Sequence, residues 1–333
     1  MYTINFNLLA FCLLSFLSCD FLFSQGFDGY YQYPDVHNDK IAFCAEGDIW
    51  TVSLKGGLAQ RLTTHDEDER FPKFSPDGQS ILFSASYEGP IELFTMPING
   101  GETTRWTYER DASYANAWTK DGSIVYATRA YNKKPDYRLV KIDVNSKVKS
   151  FIPLDQASEA SFDEDGNTVY FVRPAYHGNV TKRYKGGTTR QVWKYTEGSE
   201  EAIKLTKNYA GESHHPMFYD NRVYFISDRD GMMNIWSVDT DGNDLIQHTE
   251  HAEFDIRYAN ISDGNIVYQM GADLWKYNVL TDNSNKIEIT LRSDLDQLRE
   301  KWEDNPSQYI TSVNTDKKGE KIVITTRGRV FVK

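Results

Sequence analysis

Few side chains in these 333 residues are grouped in the way that chemistry requires. The adjacent pair His214-His215 offers two imidazoles, the commonest protein ligands for transition metals. Consecutive residues of a strand point to opposite faces, so the pair reads as loop or channel-rim packing, and no metal site is expected. Asp66-Glu67-Asp68-Glu69 has enough carboxylate oxygen for Ca²⁺, but such a run is first of all a solvated loop. Asp228-Arg229-Asp230-Gly231 reads as a β-turn with a local ion pair. The one basic cluster is Lys182, Arg183, Lys185 and Arg190, beside Gly186-Gly187. In an acidic chain it is either a solvated loop or a contact for the carboxylate of a peptide, made by charge-assisted hydrogen bonds. The motifs of catalysis are missing from the sequence. It holds no Gly-x-Ser-x-Gly elbow, Gly-x-Gly-x-x-Gly turn, P-loop, Cys-x-x-Cys or His-Glu-x-x-His. No catalytic residue and no cofactor is therefore expected within this stretch of chain.

The elements that would position these groups are strands. Aromatic residues make up 14% of the chain, with 21 tyrosines, and such side chains suit half-buried pleated sheets. Thirty-seven bases against 48 acids give a formal net charge of −11, which disfavours sequence-independent nucleic-acid binding. Of three cysteines, Cys12 and Cys19 fall in the N-terminal apolar segment and Cys44 stands alone, so no intrachain disulfide is expected after processing. Residues 8–17 form an apolar run of signal-peptide length, and Ser24-Gln25 is a plausible cleavage point for a signal peptide over 1–24. The run is too short and too interrupted to span a membrane. Cys19 after Phe16-Leu17-Ser18 is the alternative, as a lipid anchor. Either way the chain is expected to be exported, to the periplasm or the cell surface.

An internal repeat decides the fold. Asp-Gly turns recur at Asp77, Asp121, Asp165 and Asp263, with Asp220-Asn221 in the same role, at spacings of 44, 44, 55 and 43 residues. After each comes an apolar strand, then a strand such as Asp48-Ile49-Trp50, Asn234-Ile235-Trp236 or Asp273-Leu274-Trp275. A closing Leu-Thr follows at Leu62-Thr63 and Leu205-Thr206. Each unit is thus a four-stranded meander with apolar residues on both faces, which only stacking against neighbours can bury. This period belongs to propeller blades. The expected fold is all-β, a six-bladed β-propeller over 29–290, with the third-strand tryptophans packed between blades. Leu291, Leu295, Leu298 and Trp302 have helical spacing, so 291–306 is expected to be a helical linker. Residues 307–333 repeat the first strands of a blade and read as the incomplete start of a second propeller.

The opening Tyr30-Tyr31-Gln32-Tyr33-Pro34-Asp35-Val36-His37, the later Ala45-Glu46-Gly47-Asp48-Ile49-Trp50 and Arg61-Leu62-Thr63-Thr64-His65 resemble the first propeller of tricorn-type peptidases. The segment Lys182-Arg183-Tyr184-Lys185-Gly186-Gly187-Thr188 is similar to that family's fourth-blade insertion, and Tyr224-Phe225-Ile226-Ser227-Asp228-Arg229-Asp230-Gly231 to its fifth blade. Thr326-Arg327-Gly328-Arg329-Val330-Phe331 is similar to the start of its second propeller. The resemblance implies a large serine peptidase, a homo-oligomer that trims peptides, whose nucleophile and partners lie in a C-terminal half not represented in these residues. This chain would be its substrate-gating or scaffold propeller. A non-catalytic periplasmic propeller of the TolB type, binding a protein partner, is the competing reading.

Overall fold

The computed structural model describes residues 29–133, 136–174, 183–295, 302 and 304–333. The expected signal segment and Lys182 lie outside the described residues. The chain divides into two compact units, Met1–Arg292 and Ser293–Lys333.

The first unit is the six-bladed β-propeller. Six four-stranded antiparallel sheets follow one another, each made from one uninterrupted stretch of chain. Their inner strands are Gln32–His37, Glu69–Phe74, Ser113–Trp118, Ser158–Phe162, Ser213–Tyr219 and Ile256–Ser262. Each touches the inner strand before and after it, and the sixth touches the first, which makes a ring. The repeated turns sit where the hairpins need a left-handed backbone: φ is 80° at Gly122, 47° and 58° at Asp220-Asn221, and 48° and 72° at Asp263-Gly264. The closing threonine of the repeat also has a physical role. The hydroxyls of Thr63, Thr107, Thr206 and Thr249 accept hydrogen bonds of 2.8–3.2 Å from the N–H of Ile49, Leu93, Val192 and Ile235, always 14 residues earlier. Each threonine thus satisfies a buried backbone donor at the start of the third strand.

Strand alternation explains why the blades need each other. Ile41 and Phe43 face the sixth blade, in a cluster with Val267 and Leu274, while Ala42 and Cys44 face Phe74 and Ile81 of the second. Ile81 and Phe83 look back at the first blade and Leu82 forward to Ile124 and Tyr126 of the third. Cys44 is buried and unbridged. Among the third-strand tryptophans, Trp50 is buried to 1% exposure. Trp193, Trp236 and Trp275 pack against the same kind of layer but are only half-buried.

Among the described residues no four-stranded sheet takes strands from both ends of the ring. A two-residue parallel pair, Gly57–Leu58 with Ile289–Thr290, joins them instead. Gly57 donates to the Glu288 carbonyl at 2.8 Å and Ala59 to the Thr290 carbonyl at 2.9 Å. Gly56 has to be glycine, because its φ is +84° and a Cβ there would lie 2.4 Å from the Glu288 oxygen. Tyr31 adds a backbone bond to Ala272 and a hydroxyl bond to the Ile289 carbonyl.

Leu291 belongs to this closure, buried in the cluster of the first and sixth blades, and Leu295 has φ 55°. The expected linker helix therefore does not begin at Leu291; residues 296–301 and 303 of that stretch lie outside the described residues. In the second unit a short 3₁₀ turn, Pro306–Tyr309, leads into a meander of Ile310–Thr315, Ile322–Thr326 and Arg329–Val332. These are the expected first strands of another blade-like sheet, turned at Arg327-Gly328 with φ 48° and 73°.

Candidate functional site

The inner strands do not alternate regularly. All six carry a register shift, between Gln32 and Asp35, Arg70 and Lys73, Ala115 and Ala117, Ser158 and Ser161, His214 and Met217, and Ile256 and Ala259. At four of them the bulged residue is left-handed, with φ of 52° at Tyr33, 55° at Phe71, 54° at Glu159 and 52° at His215. A bulge bends the strand, re-aims its side chains and leaves a backbone donor unpaired in the ladder. Neighbouring blades supply the acceptors. Asp35 accepts from the N–H of Phe74 at 2.8 Å, Asn116 from Ala160 at 3.1 Å, Glu159 from His215 at 2.7 Å and Ser161 from Phe218 at 3.0 Å. Asn260 of the sixth blade donates to the Pro34 carbonyl of the first at 2.7 Å.

The re-aimed side chains line an axial passage. A cavity of about 200 Å³ is bounded by Tyr33, Phe71, Glu159, Arg190, His215 and Tyr258, among others. A second, of about 350 Å³, shares Lys73, Asn116, Ala160, Pro216 and Asn260 with it, so the two adjoin along the inner strands. The cations Arg190 and Lys73 are paired in the wall. Arg190 is buried and donates from Nε to Glu212 at 2.8 Å and from Nη1 to Glu159 at 3.3 Å. Lys73 lies 3.6 Å from Asp35, and burial pushes its ammonium down and the Asp35 carboxyl up. Burial also pushes up the Glu212 carboxyl and the Tyr258 phenol, and holds His214 well below the usual imidazole range. The wall thus mixes aromatic side chains with paired charges.

His214 and His215 break the rule of opposite faces. The bulge brings their Nδ1 atoms to 2.6 Å from each other, with His215 Nδ1 3.3 Å from Glu159 Oε2. The basic cluster, by contrast, is dispersed. Arg190 is the buried ion-pair residue just described. Arg183 donates its backbone N–H to Asp228 at 3.0 Å and its Nε to the Gly231 carbonyl, and the Lys185 ammonium lies over Tyr209 at 5.8 Å. Asp228-Arg229-Asp230-Gly231 does close as a turn, through Gly231 N–H to the Asp228 carbonyl. In place of a local ion pair, Asp228 accepts from the Tyr209 hydroxyl at 2.9 Å, and Arg229 lies over Tyr209, Phe225 and Trp236. The acidic run divides too: Glu69 turns inward to Thr63 and Tyr87, while Asp66, Glu67 and Asp68 stay exposed.

The site residues that the sequence reading missed are Glu159, Glu212, Tyr33 and Tyr258. A signal for some of them exists. Phe71, Glu159 and Arg257 each stand six residues before the aspartate of the repeated turn, and His215 five. Aligning the units on that turn puts the bulge positions in one column.

A six-bladed ring whose bulged inner strands line adjoining cavities is a β-propeller with its site at the axis. Residues 28–283 match the family described as the Tricorn protease N-terminal beta propeller domain, and the chain belongs to that family. It is 28% identical over 313 residues to the Tricorn protease of Thermoplasma volcanium, covering 90% of this chain and 29% of the relative. It is 28% identical over 309 residues to the Tricorn protease homolog of Saccharolobus solfataricus, covering 91% and 28%. The crystal structure of the tricorn protease superposes with a TM-score of 0.74 at 25% identity, covering 92% of this chain and 30% of that one. The chain thus spans less than a third of the length of the relatives it matches.

Proposed function

We propose that this ring is the axial-channel propeller of a tricorn-type serine peptidase, passing peptides along its axis while hydrolysis takes place on residues outside this stretch. The observation that carries the reading is the passage itself, lined by bulged strands from all six blades. Lys73 is paired with Asp35, and Arg190 with Glu159 and Glu212, so these wall groups offer a moving peptide few strong attachments. Weak walls suit transit, because tight binding along the path would slow release. Membership of the propeller family supports the same reading, as does the lack of any catalytic motif in the sequence. The peptidase is proposed to act as a homo-oligomer on peptide substrates. The apolar run at 8–17 supports export to the periplasm or cell surface.

The test narrows the channel where its two cavities meet. In the assembled peptidase, Asn116→Trp is expected to lower turnover of an oligopeptide several-fold in a protein still folded by circular dichroism, while Asn116→Ala, which loses the same hydrogen bond to Ala160 without filling the passage, leaves turnover near the parent value. Equal turnover in all three proteins overturns the channel role. The chain by itself is expected to leave a fluorogenic peptide intact.

A further inference from the structure

We propose that Glu159, His214 and His215 form a binding site for one divalent transition-metal ion of the Zn²⁺ class, held between the inner strands of the fourth and fifth blades. One ligand atom from each residue lies within 4.8 Å of the other two. Two of the separations are much shorter, 2.6 Å between the imidazole Nδ1 atoms and 3.3 Å from His215 Nδ1 to Glu159 Oε2. An ion about 2.0–2.2 Å from each donor in tetrahedral geometry sets donors roughly 3.3 Å apart. The carboxylate–imidazole edge already has that length. The two imidazoles have to part by less than about 1 Å. Their present hydrogen bond gives way to the ion, with both rings neutral and protonated on Nε2.

The surroundings orient the ligands as outer partners of a metal site do. Arg190 Nη1 bonds Glu159 Oε1 at 3.3 Å and the backbone N–H of His215 bonds Oε2 at 2.7 Å, which fixes the carboxylate beside the imidazoles. Arg190 also holds Glu212 at 2.8 Å, so Glu159, Glu212 and Arg190 together carry one net negative charge for a cation to offset. The left-handed backbone at Glu159 and at His215 is what turns these side chains towards one point. All three ligands line the 200 Å³ cavity, so a fourth coordination position faces the passage. Three protein ligands with one open position is the arrangement of zinc sites that exchange water or a second ligand. The ion would tie two blades together at the channel wall.

The experiment uses the full, untagged chain, stripped with chelator and dialysed. Titration with ZnCl₂ by calorimetry is expected to show one equivalent bound with micromolar or tighter affinity, and Zn²⁺ is expected to raise the melting temperature by mass action. Glu159→Gln and His215→Ala are each expected to weaken binding at least about tenfold. His65→Ala, at an exposed histidine, leaves it unchanged. No saturable binding by the folded parent, or the same affinity in both ligand variants, overturns the site. Co²⁺ added to the parent protein reads the site without any variant. Visible bands of low-coordinate nitrogen and oxygen ligation support the proposal, and a spectrum of hydrated Co²⁺ alone sinks it.

Discussion

The layers between the blades and the wall of the passage are built from neighbouring strands of the same sheets, under opposite rules. In the fifth blade the second strand, Arg222–Ser227, is buried from Val223 onward and alternates its apolar side chains between the fourth and sixth blades. The inner strand beside it, Ser213–Tyr219, breaks register, takes a left-handed residue and turns imidazoles to the axis. Radius decides the difference. Away from the axis two sheets meet face to face, and period-2 alternation fills the space. At the axis six strands converge on a passage, and a regular strand would aim its side chains along the wall instead of into it. Stability therefore resides in the layers, and chemistry in the bulges.

Breaking a layer is expected to cost the most. Trp50→Ala removes a ring at 1% exposure from the contact of the first and sixth blades, and a loss of about 3–5 kcal/mol is expected in chemical denaturation. Trp236, half-buried with Arg229 over its ring, is expected to cost about half as much on the same change. Equal losses at the two positions would show that the layers do not distinguish them.

Glu69 sharpens the comparison, since it starts an inner strand yet points away from solvent. Burial, opposed by hydrogen bonds from Tyr87 and Thr63, pushes its carboxyl up from 4.5 to about 8. Between those values the folded chain keeps a proton that the unfolded chain has lost. This group's contribution is therefore full below pH 4.5 and is lost as pH rises through about 8. Glu69→Gln is expected to remove about 2–4 kcal/mol of the stability lost between pH 5 and pH 8, read from denaturation midpoints at the two pH values. Parallel pH profiles for variant and parent would contradict an inward, proton-holding Glu69.

The smallest effect belongs to the threonine clamp at the outer edge. Thr206→Val keeps the shape and removes the acceptor for the Val192 N–H, at an expected cost of about 1–3 kcal/mol. Thr63→Val should match it if the clamp is a repeated device; a cost near zero at both positions would reduce it to coincidence of spacing.

The blades were legible because their turns are chemical. Asp-Gly and Asp-Asn are nearly compelled where φ is positive, and Leu-Thr marks the clamp. The passage was far less so. Reading His214 and His215 as opposite-facing rests on regular alternation, and the bulge that defeats it has no composition of its own. Arg190 looked like one of four clustered cations, but its partners Glu159 and Glu212 come from other strands, and in space it shares nothing with Lys185 over Tyr209. Leu291 joined the leucine stripe for a related reason. A residue that completes the ring's core is apolar whatever the local backbone does, so one fortuitous match extends a helical pattern into a closure strand.

The closing pair of Gly57–Leu58 with Ile289–Thr290 has a consequence for how such rings change over generations. Where one sheet is sewn from both ends of a chain, copying or deleting a repeat has to preserve that seam. Here every wedge is coded by its own contiguous segment, and one half of the clasp sits in the loop between the third and fourth strands of the first. A tandem duplication of any wedge after the first would insert one complete sheet with both its faces, and a deletion would remove one without leaving a torn sheet. The number of wedges can thus be altered by single genetic events, and only the span bridged by the clasp has to be refitted.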